Sequence, residues 1–351
     1  MKVYYDLFNK IISLENLFSA WDEFKKDKRK KKDVLQFEWN LESNIFKLHK
    51  ELEAKTYKHG PYTSFYINDP KQRHIYKAEV RDRVLHHAIF SVLNPVLEST
   101  FITASFSCRV GKGTHKGVES LNKMLRQVSG NGHNPCLALK CDIKKFFDTV
   151  KHEILLEIIC RKIKDKDAVW LLKEIISSYY TRNLTSFEKR GIPIGNLTSQ
   201  LFANLYLNEL DQFVKQDLKV KFYVRYTDDF VVVVGNEKYL RDLLPIISQF
   251  LKNQLDLRLH QDKISIRKFS QGADFLGYIL RPHHRLIRTK TKKRIFKKMK
   301  FKIREYECGL ITEDNIMQTL QSYLGVLAHA NAYRLSEELK NDIAFHLPQF
   351  P

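Results

Sequence analysis

Two adjacent acids, Asp228 and Asp229, directly precede five apolar side chains in the stretch RYTDDFVVVV, residues 225–234. A short unbroken apolar run reads as a buried strand, and burial is where neighbouring like charges cost most. The wider stretch VKFYVRYTDDFVVVVG is expected to fold as strand, tight turn and strand, with the paired acids at the tip. A chain that keeps two carboxylates there needs a strong compensating cation and further ligands for it.

Asp142, in LKCDIKKFFD, is the candidate third acid. It stands where the apolar strand CLALKCDI runs into a helix, a position from which a side chain leaves a sheet end. If that strand lies beside the hairpin, Asp142, Asp228 and Asp229 converge. Hard oxygen ligands select Mg²⁺ or Mn²⁺. Two such ions, roughly 3.5–4 Å apart, clamp the attacking and leaving oxygens of an in-line phosphoryl transfer. A doubled Asp in a turn is a weak signal alone, because turns favour Asp. Charge strengthens it: 60 Lys plus Arg against 40 Asp plus Glu give +20, an excess that suits a polyanionic partner.

The five cysteines are scattered without C-x-x-C pairing, which argues against a disulfide framework or zinc site and for a reduced, cytoplasmic setting. The N-terminus carries no evident signal peptide. Apolar runs are strand-length, short of the roughly 20 residues of a membrane span.

Residues 1–56 read as an N-terminal helical extension, with Ser13 capping SLENLFSAWDEFKK and EWNLESNIFKLHKELEAKTY forming one further helix. The basic run KKDKRKKKD between them fits a solvated helix end. Residues 57–77 look like short strands broken at Gly60-Pro61 and Asp69-Pro70, and helix returns over 79–97. Helices are expected after Thr149, over 191–214 following a Gly/Pro turn, and over LLPIISQFLKNQLDL; FLGYIL is expected to be one strand. Together these predict an α+β sheet layered on one face by helices. Between Arg281 and Arg304 there are twelve Lys or Arg and no acid, which predicts a nucleic-acid-tracking helix.

Four segments, CDIKKFFDTV, GIPIGNLTSQLFANLYLN, RYTDDF and DFLGYIL, resemble in order the successive blocks of reverse transcriptases. The resemblance spans about residues 57–335. It implies a right-hand polymerase: fingers over 57–135, an antiparallel palm sheet backed by helices over 136–280 (with fingers helices between 151 and 190), and a helical basic thumb over 281–351. It also implies an RNA-directed DNA polymerase that binds an RNA template or non-coding RNA, cDNA and deoxynucleoside triphosphates.

By that resemblance Asp142, Asp228 and Asp229 match the metal-binding aspartates, and the Ile143 carbonyl is a further ligand. Phe147 matches the side chain that blocks a ribose 2′-OH; its plain alternative is core packing. Arg73 falls on the fingertip arginine that grips the triphosphate, with Lys77 and Lys71 as weaker candidates. Arg109 and Lys112 in SFSCRVGKGTH suit template or triphosphate. Lys263 lies where such enzymes place a proton donor to pyrophosphate. Ile194, Gly195 and Gln200 lie in the nucleotide-binding turn. Lys292, Lys293, Lys297 and Lys298 are the thumb's candidate nucleic-acid contacts.

Ile194 stands where most members have Gln. With Ser199-Gln200, SFSCRVGKGTH and YLGVLAHANAYRL, it makes the chain look most like the error-prone enzymes of diversity-generating retroelements, which implies a possible small basic accessory protein. Thr227 departs from the commoner Met of that block. Antiphage reverse transcriptases share the same blocks and stand as the alternative. A non-catalytic RNA-binding scaffold is opposed by the intact acids, and RNA-templated RNA synthesis by Phe147.

Overall fold

The computed structural model describes residues 3–69, 71–181 and 188–346; Pro70, half of one expected strand break, lies outside them. Helices α1 (Phe8–Ile12) and α2 (Leu14–Lys25) meet at Ser13. Its hydroxyl accepts from the Asn16 N–H at 3.2 Å, the cap expected from the sequence. The single helix expected over residues 38–57 is two, α3 (Lys32–Trp39) and α4 (Leu41–Glu53), broken at Asn40. Asn40 has φ −119° and ψ 40°, outside the helical region, and asparagine readily leaves a helix there.

A two-stranded hairpin follows, β1 (Thr63–Ile67) and β2 (Arg73–Lys77), then α5 (Val80–Glu98) and α6 (Thr114–Ser129). Four strands form the central antiparallel sheet: β3 (Leu137–Asp142), β4 (Tyr223–Tyr226), β5 (Asp229–Val234) and β6 (Ser265–Lys268), in the order β4-β5-β3-β6. Between β3 and β4 run α7 (Phe146–Thr149), α8 (His152–Lys162), α9 (Lys166–Ser177) and α10 (Leu197–Gln212); α11 (Glu237–Leu255) follows β5.

The sheet is covered on both faces, not one. Leu137, Leu139 and Cys141 of β3 and Phe230 and Val232 of β5 join the core with α8, α10 and α11. The alternate residues Ala138, Val231 and Val233 pack with Leu121 and Leu125 of α6 and with Phe275 and Tyr278. Side chains alternate across a strand, so FVVVV has no polar face because neither face meets water.

FLGYIL is a hairpin rather than one strand: β7 (Ala273–Phe275) and β8 (Tyr278–Leu280) turn at Leu276-Gly277, and β9 (Arg285–Ile287) completes a three-stranded sheet. Gly277 takes φ +91°, which glycine adopts without strain. The last lobe is α12 (Thr289–Glu307), α13 (Glu313–Leu327) and α14 (Tyr333–His346). It has its own core, in which Ile295, Met299 and Ile303 meet Ile316, Leu320 and Leu339. Among the described residues no helix is long and apolar enough to cross a membrane.

Candidate active site

Asp142 is the last residue of β3 and Asp229 the first of β5, and the antiparallel register sets them directly opposite. Asp228 precedes Asp229 in the two-residue turn from Tyr226, so all three acids lie at one end of the sheet. Backbone bonds fix this end: Ile143 N–H donates to the Asp228 carbonyl at 3.1 Å, and His260 N–H to the Asp142 carbonyl at 2.8 Å.

The turn is held from below. Thr227 has φ 52°, the left-handed region that costs a non-glycine residue roughly 1 kcal/mol. Its hydroxyl donates to Ser107 Oγ at 2.5 Å, and its carbonyl accepts from Arg225 Nη1 at 3.1 Å. Arg225 is fully buried. It is clamped by Asp211, with Nε to Oδ1 at 2.7 Å and Nη2 to Oδ2 at 2.6 Å, and Tyr223 donates to the same carboxylate. This support was not picked out from sequence, although an arginine inside an apolar strand and an aspartate on a buried helix face were signals. Removing one partner strands a buried charge, which costs about 3–5 kcal/mol. Urea unfolding of Arg225→Met should show a loss of that size, most of it recovered in Arg225→Met/Asp211→Leu.

The charges are unevenly balanced. Lys263 Nζ donates to Asp142 Oδ1 at 2.6 Å, and Lys140 Nζ is 3.8 Å from Asp229. Asp228 has no cation at ion-pair distance among the described residues. Its burial, and then the neighbouring Asp142 charge, push its pKa up to about 6. Asp229 is also raised, mainly by burial, with Lys140 opposing. Among the described residues no cluster of three His, Cys, Asp or Glu side chains is gathered tightly enough to hold a metal ion as it stands. Lys263 supplies the positive charge at Asp142 instead. A half-buried Asp228 without a paired cation, beside two further carboxylates, nevertheless fits a divalent cation.

Beside the acids opens a cleft of about 580 Å³, lined by Lys71 and Arg73 of the fingertip hairpin, Asp229, the Leu276-Gly277 turn, and Lys290 and Arg294 of the thumb. Arg73 is exposed. Across the cleft mouth, fingertip Asp69 meets Lys298 at 2.8 Å and Arg294 at 3.7 Å. Lys292 turns towards Glu338 of α14 at 3.8 Å, while Lys293 and Lys297 are exposed. The thumb cations lining the cleft are therefore Arg288, Lys290 and Arg294, with Lys298 joined to Arg294 through Asp69; the sequence had pointed only to Lys298 of these four.

Other named residues lie elsewhere. Arg109 is spent internally: it grips both oxygens of Glu98 and donates to the carbonyls of Ile102 and Ser105. Lys112 donates to the Thr103 carbonyl at 2.9 Å. Arg109 is thus committed within its own loop, whereas Lys112 keeps its charge and further donors. Lys77 pairs with Asp33 at 2.7 Å. It lines a second cavity, of about 380 Å³, with Gly195 and Gln200. Gly195 has φ +118°, and a Cβ there would meet Ile75 Cγ2 at 2.9 Å, so the turn presses closely on the fingertip hairpin. The Ile194 carbonyl accepts from the Tyr76 N–H at 3.0 Å. Phe147 is half-buried and stands edge-to-face on the buried Phe146 at 5.5 Å.

A palm sheet ending in three carboxylates, facing a cleft between a fingertip hairpin and a basic helical thumb, defines a templated nucleic-acid polymerase of the right-hand type. The chain belongs to the reverse transcriptases: the family described as "Reverse transcriptase (RNA-dependent DNA polymerase)" matches residues 67–280, more than half of its length. It is an RNA-directed DNA polymerase. Protein YkfC of Escherichia coli is 27% identical over 296 residues, covering 74% of this chain and 75% of YkfC. The group II intron-encoded protein LtrA of Lactococcus lactis is 26% identical over 307 residues, covering 68% of this chain and 50% of LtrA. Among solved structures, telomerase from Candida albicans aligns over 84% of this chain and 60% of its own, with 12% identity and a TM-score of 0.46.

Proposed function

We propose that this chain synthesises cDNA on an RNA template, with Asp142, Asp228, Asp229 and the Ile143 carbonyl holding two Mg²⁺ ions. The observation that carries this reading is the register that places Asp142 opposite Asp229, with the half-buried Asp228 beside them and no cation at ion-pair distance from it among the described residues. When bound, the metal stabilises charge on the attacking and leaving oxygens. The chain's own groups do the rest. The primer 3′-hydroxyl loses its proton to solvent as its oxygen bonds to the α-phosphorus, the bond to the bridging oxygen breaks, and pyrophosphate leaves. Arg73 grips the triphosphate, Lys263 Nζ gives the leaving group a proton, and Phe147 excludes a 2′-OH. Primer extension on a defined RNA template is the test, with catalysis expected to vanish when the acids are neutralised.

The thumb holds the duplex through Lys290, Arg294 and Lys298, with phosphates replacing the Asp69 carboxylate. Changing these three to Gln should flatten the dependence of log K on log salt by up to about 0.7–0.9 per lost contact. An unchanged slope, read by fluorescence anisotropy across a salt series, would remove them from the track.

The finer reading is the error-prone enzyme of a diversity-generating retroelement. Ile194 supports it. An amide there can hydrogen-bond near the nascent pair, an interaction worth roughly 0.5–1.5 kcal/mol, whereas Ile supplies volume only. Error should be biased to template adenines, and Ile194→Gln should reduce it by up to about tenfold, as 1.36 kcal/mol is tenfold in rate. Deep sequencing of cDNA checks this; equal error at all four bases, unmoved by the substitution, returns Ile194 to packing beneath the turn. Neighbouring genes separate this reading from phage defence: a template/variable repeat pair, and a small basic accessory protein, belong to the retroelement.

A further inference from the structure

Beyond the polymerase cleft, the palm–thumb junction carries a second opening of about 440 Å³. It is walled by Arg126 at the end of α6, Arg281, His283 and His284 in the β8–β9 loop, Arg285, and His329 after α13. No Asp or Glu is among its described lining residues. Strand β8 links the two openings: Tyr278 lines the polymerase cleft, and Arg281 follows three residues on, about 10 Å away at strand rise.

Of the three guanidiniums, Arg285 stands near the Glu119 carboxylate of α6. Among the described residues Arg126 and Arg281 have no ion pair, and both are exposed. Arg285 is positioned by its neighbours: its N–H donates to Asn331 Oδ1 at 2.8 Å, and Nη1 to the His329 carbonyl at 3.1 Å. His329 stacks on His115 of α6 at 3.6 Å, which ties the thumb to α6 at the opening. The nearest acid on α6, Glu119, is engaged by Lys123 at 3.0 Å. Cations gathered in excess over the nearby acid repel one another unless an anion enters. The walls offer Arg, His and Asn donors but only Ala328 and Ala330 as apolar groups. A protein partner would need apolar or aromatic anchors, whereas phosphate and sugar are bound by donors of this kind.

We propose that this opening is a second nucleic-acid site, which takes the phosphodiester backbone of structured RNA outside the primer–template duplex. The identity of the polyanion rests on the RNA-copying function; the site itself rests on its charge and lining. The enzyme would thereby hold its own RNA at two points, one catalytic and one anchoring.

The test compares wild type with Arg126→Gln/Arg281→Gln on two probes, a minimal DNA-primed RNA duplex and the same duplex with a stem-loop RNA flank. Matching melting temperatures establish that the variant is folded. The expected result is roughly tenfold weaker binding of the flanked RNA, a salt slope lower by up to about 0.7–0.9 per lost contact, and unchanged binding and extension of the minimal duplex. Equal weakening on both probes would place the opening on the duplex track and overturn the proposal. No change on either probe would overturn it too, as would loss of polyglutamate binding with RNA binding intact, which would indicate an acidic protein. Failure of the polymerase reading shows separately, as absent extension by wild type on either probe.

Discussion

Asp228→Asn abolishes primer extension, by roughly 10³-fold or more, while raising the stability of the metal-free protein. Catalysis falls because charge stabilisation by a held metal is worth several kcal/mol and each 1.36 kcal/mol is tenfold in rate. Stability moves the other way because burial and the Asp142 charge raise the Asp228 pKa to about 6. A folded-state pKa above the unfolded value near 3.9 gives stability that is full below the unfolded pKa and is lost as pH rises through the folded one. Wild type without metal should therefore weaken between about pH 4 and 6 by on the order of 1–3 kcal/mol. The variant should lack that loss, and Mg²⁺ should restore stability to wild type alone. Thermal melts with and without Mg²⁺ at pH 5 and pH 8 measure this; identical curves for the two proteins would remove Asp228 from the metal site.

Phe147→Ala admits ribonucleotides. The ring is half-buried, set edge-to-face on Phe146 and fixed by a bond from the Ile192 N–H to the Phe147 carbonyl at 2.8 Å. The discrimination proposed is a clash between this packed ring and a 2′-OH. Shaving it to Ala should raise rNTP incorporation relative to dNTP by roughly 10–200-fold, the scale of pocket discrimination by 1–3 kcal/mol. Single-nucleotide extension with each rNTP measures it. Unchanged rNTP use with lowered stability would make Phe147 core alone.

What was legible in the chain was mostly local. The acids at a strand mouth, the Ser13 cap, and the hairpin before FVVVV each rest on neighbours within a few residues. The second covered face of the sheet was missed, although FVVVV, which does not alternate, was a signal for it. The fate of Arg109 was not, because it depends on Glu98 and two carbonyls that only the folded loop brings together. FLGYIL misled as a continuous apolar run, where Leu276 at φ 48° and Gly277 bend it into a turn. The thumb's cleft face also escaped, because a helix with cations all round does not declare which of them meet Asp69. Arg225 was hidden by strand parity: its partner Asp211 lies on a helix beneath the sheet.

The most direct measurement is extension of a labelled DNA primer on a defined RNA template with dNTPs. Wild type is expected to reach the template end with Mg²⁺, to stop with EDTA and to recover with added Mg²⁺ or Mn²⁺, while Asp142→Asn stays silent though folded. No wild-type extension in Mg²⁺ or Mn²⁺, or equal extension by Asp142→Asn, would contradict the account.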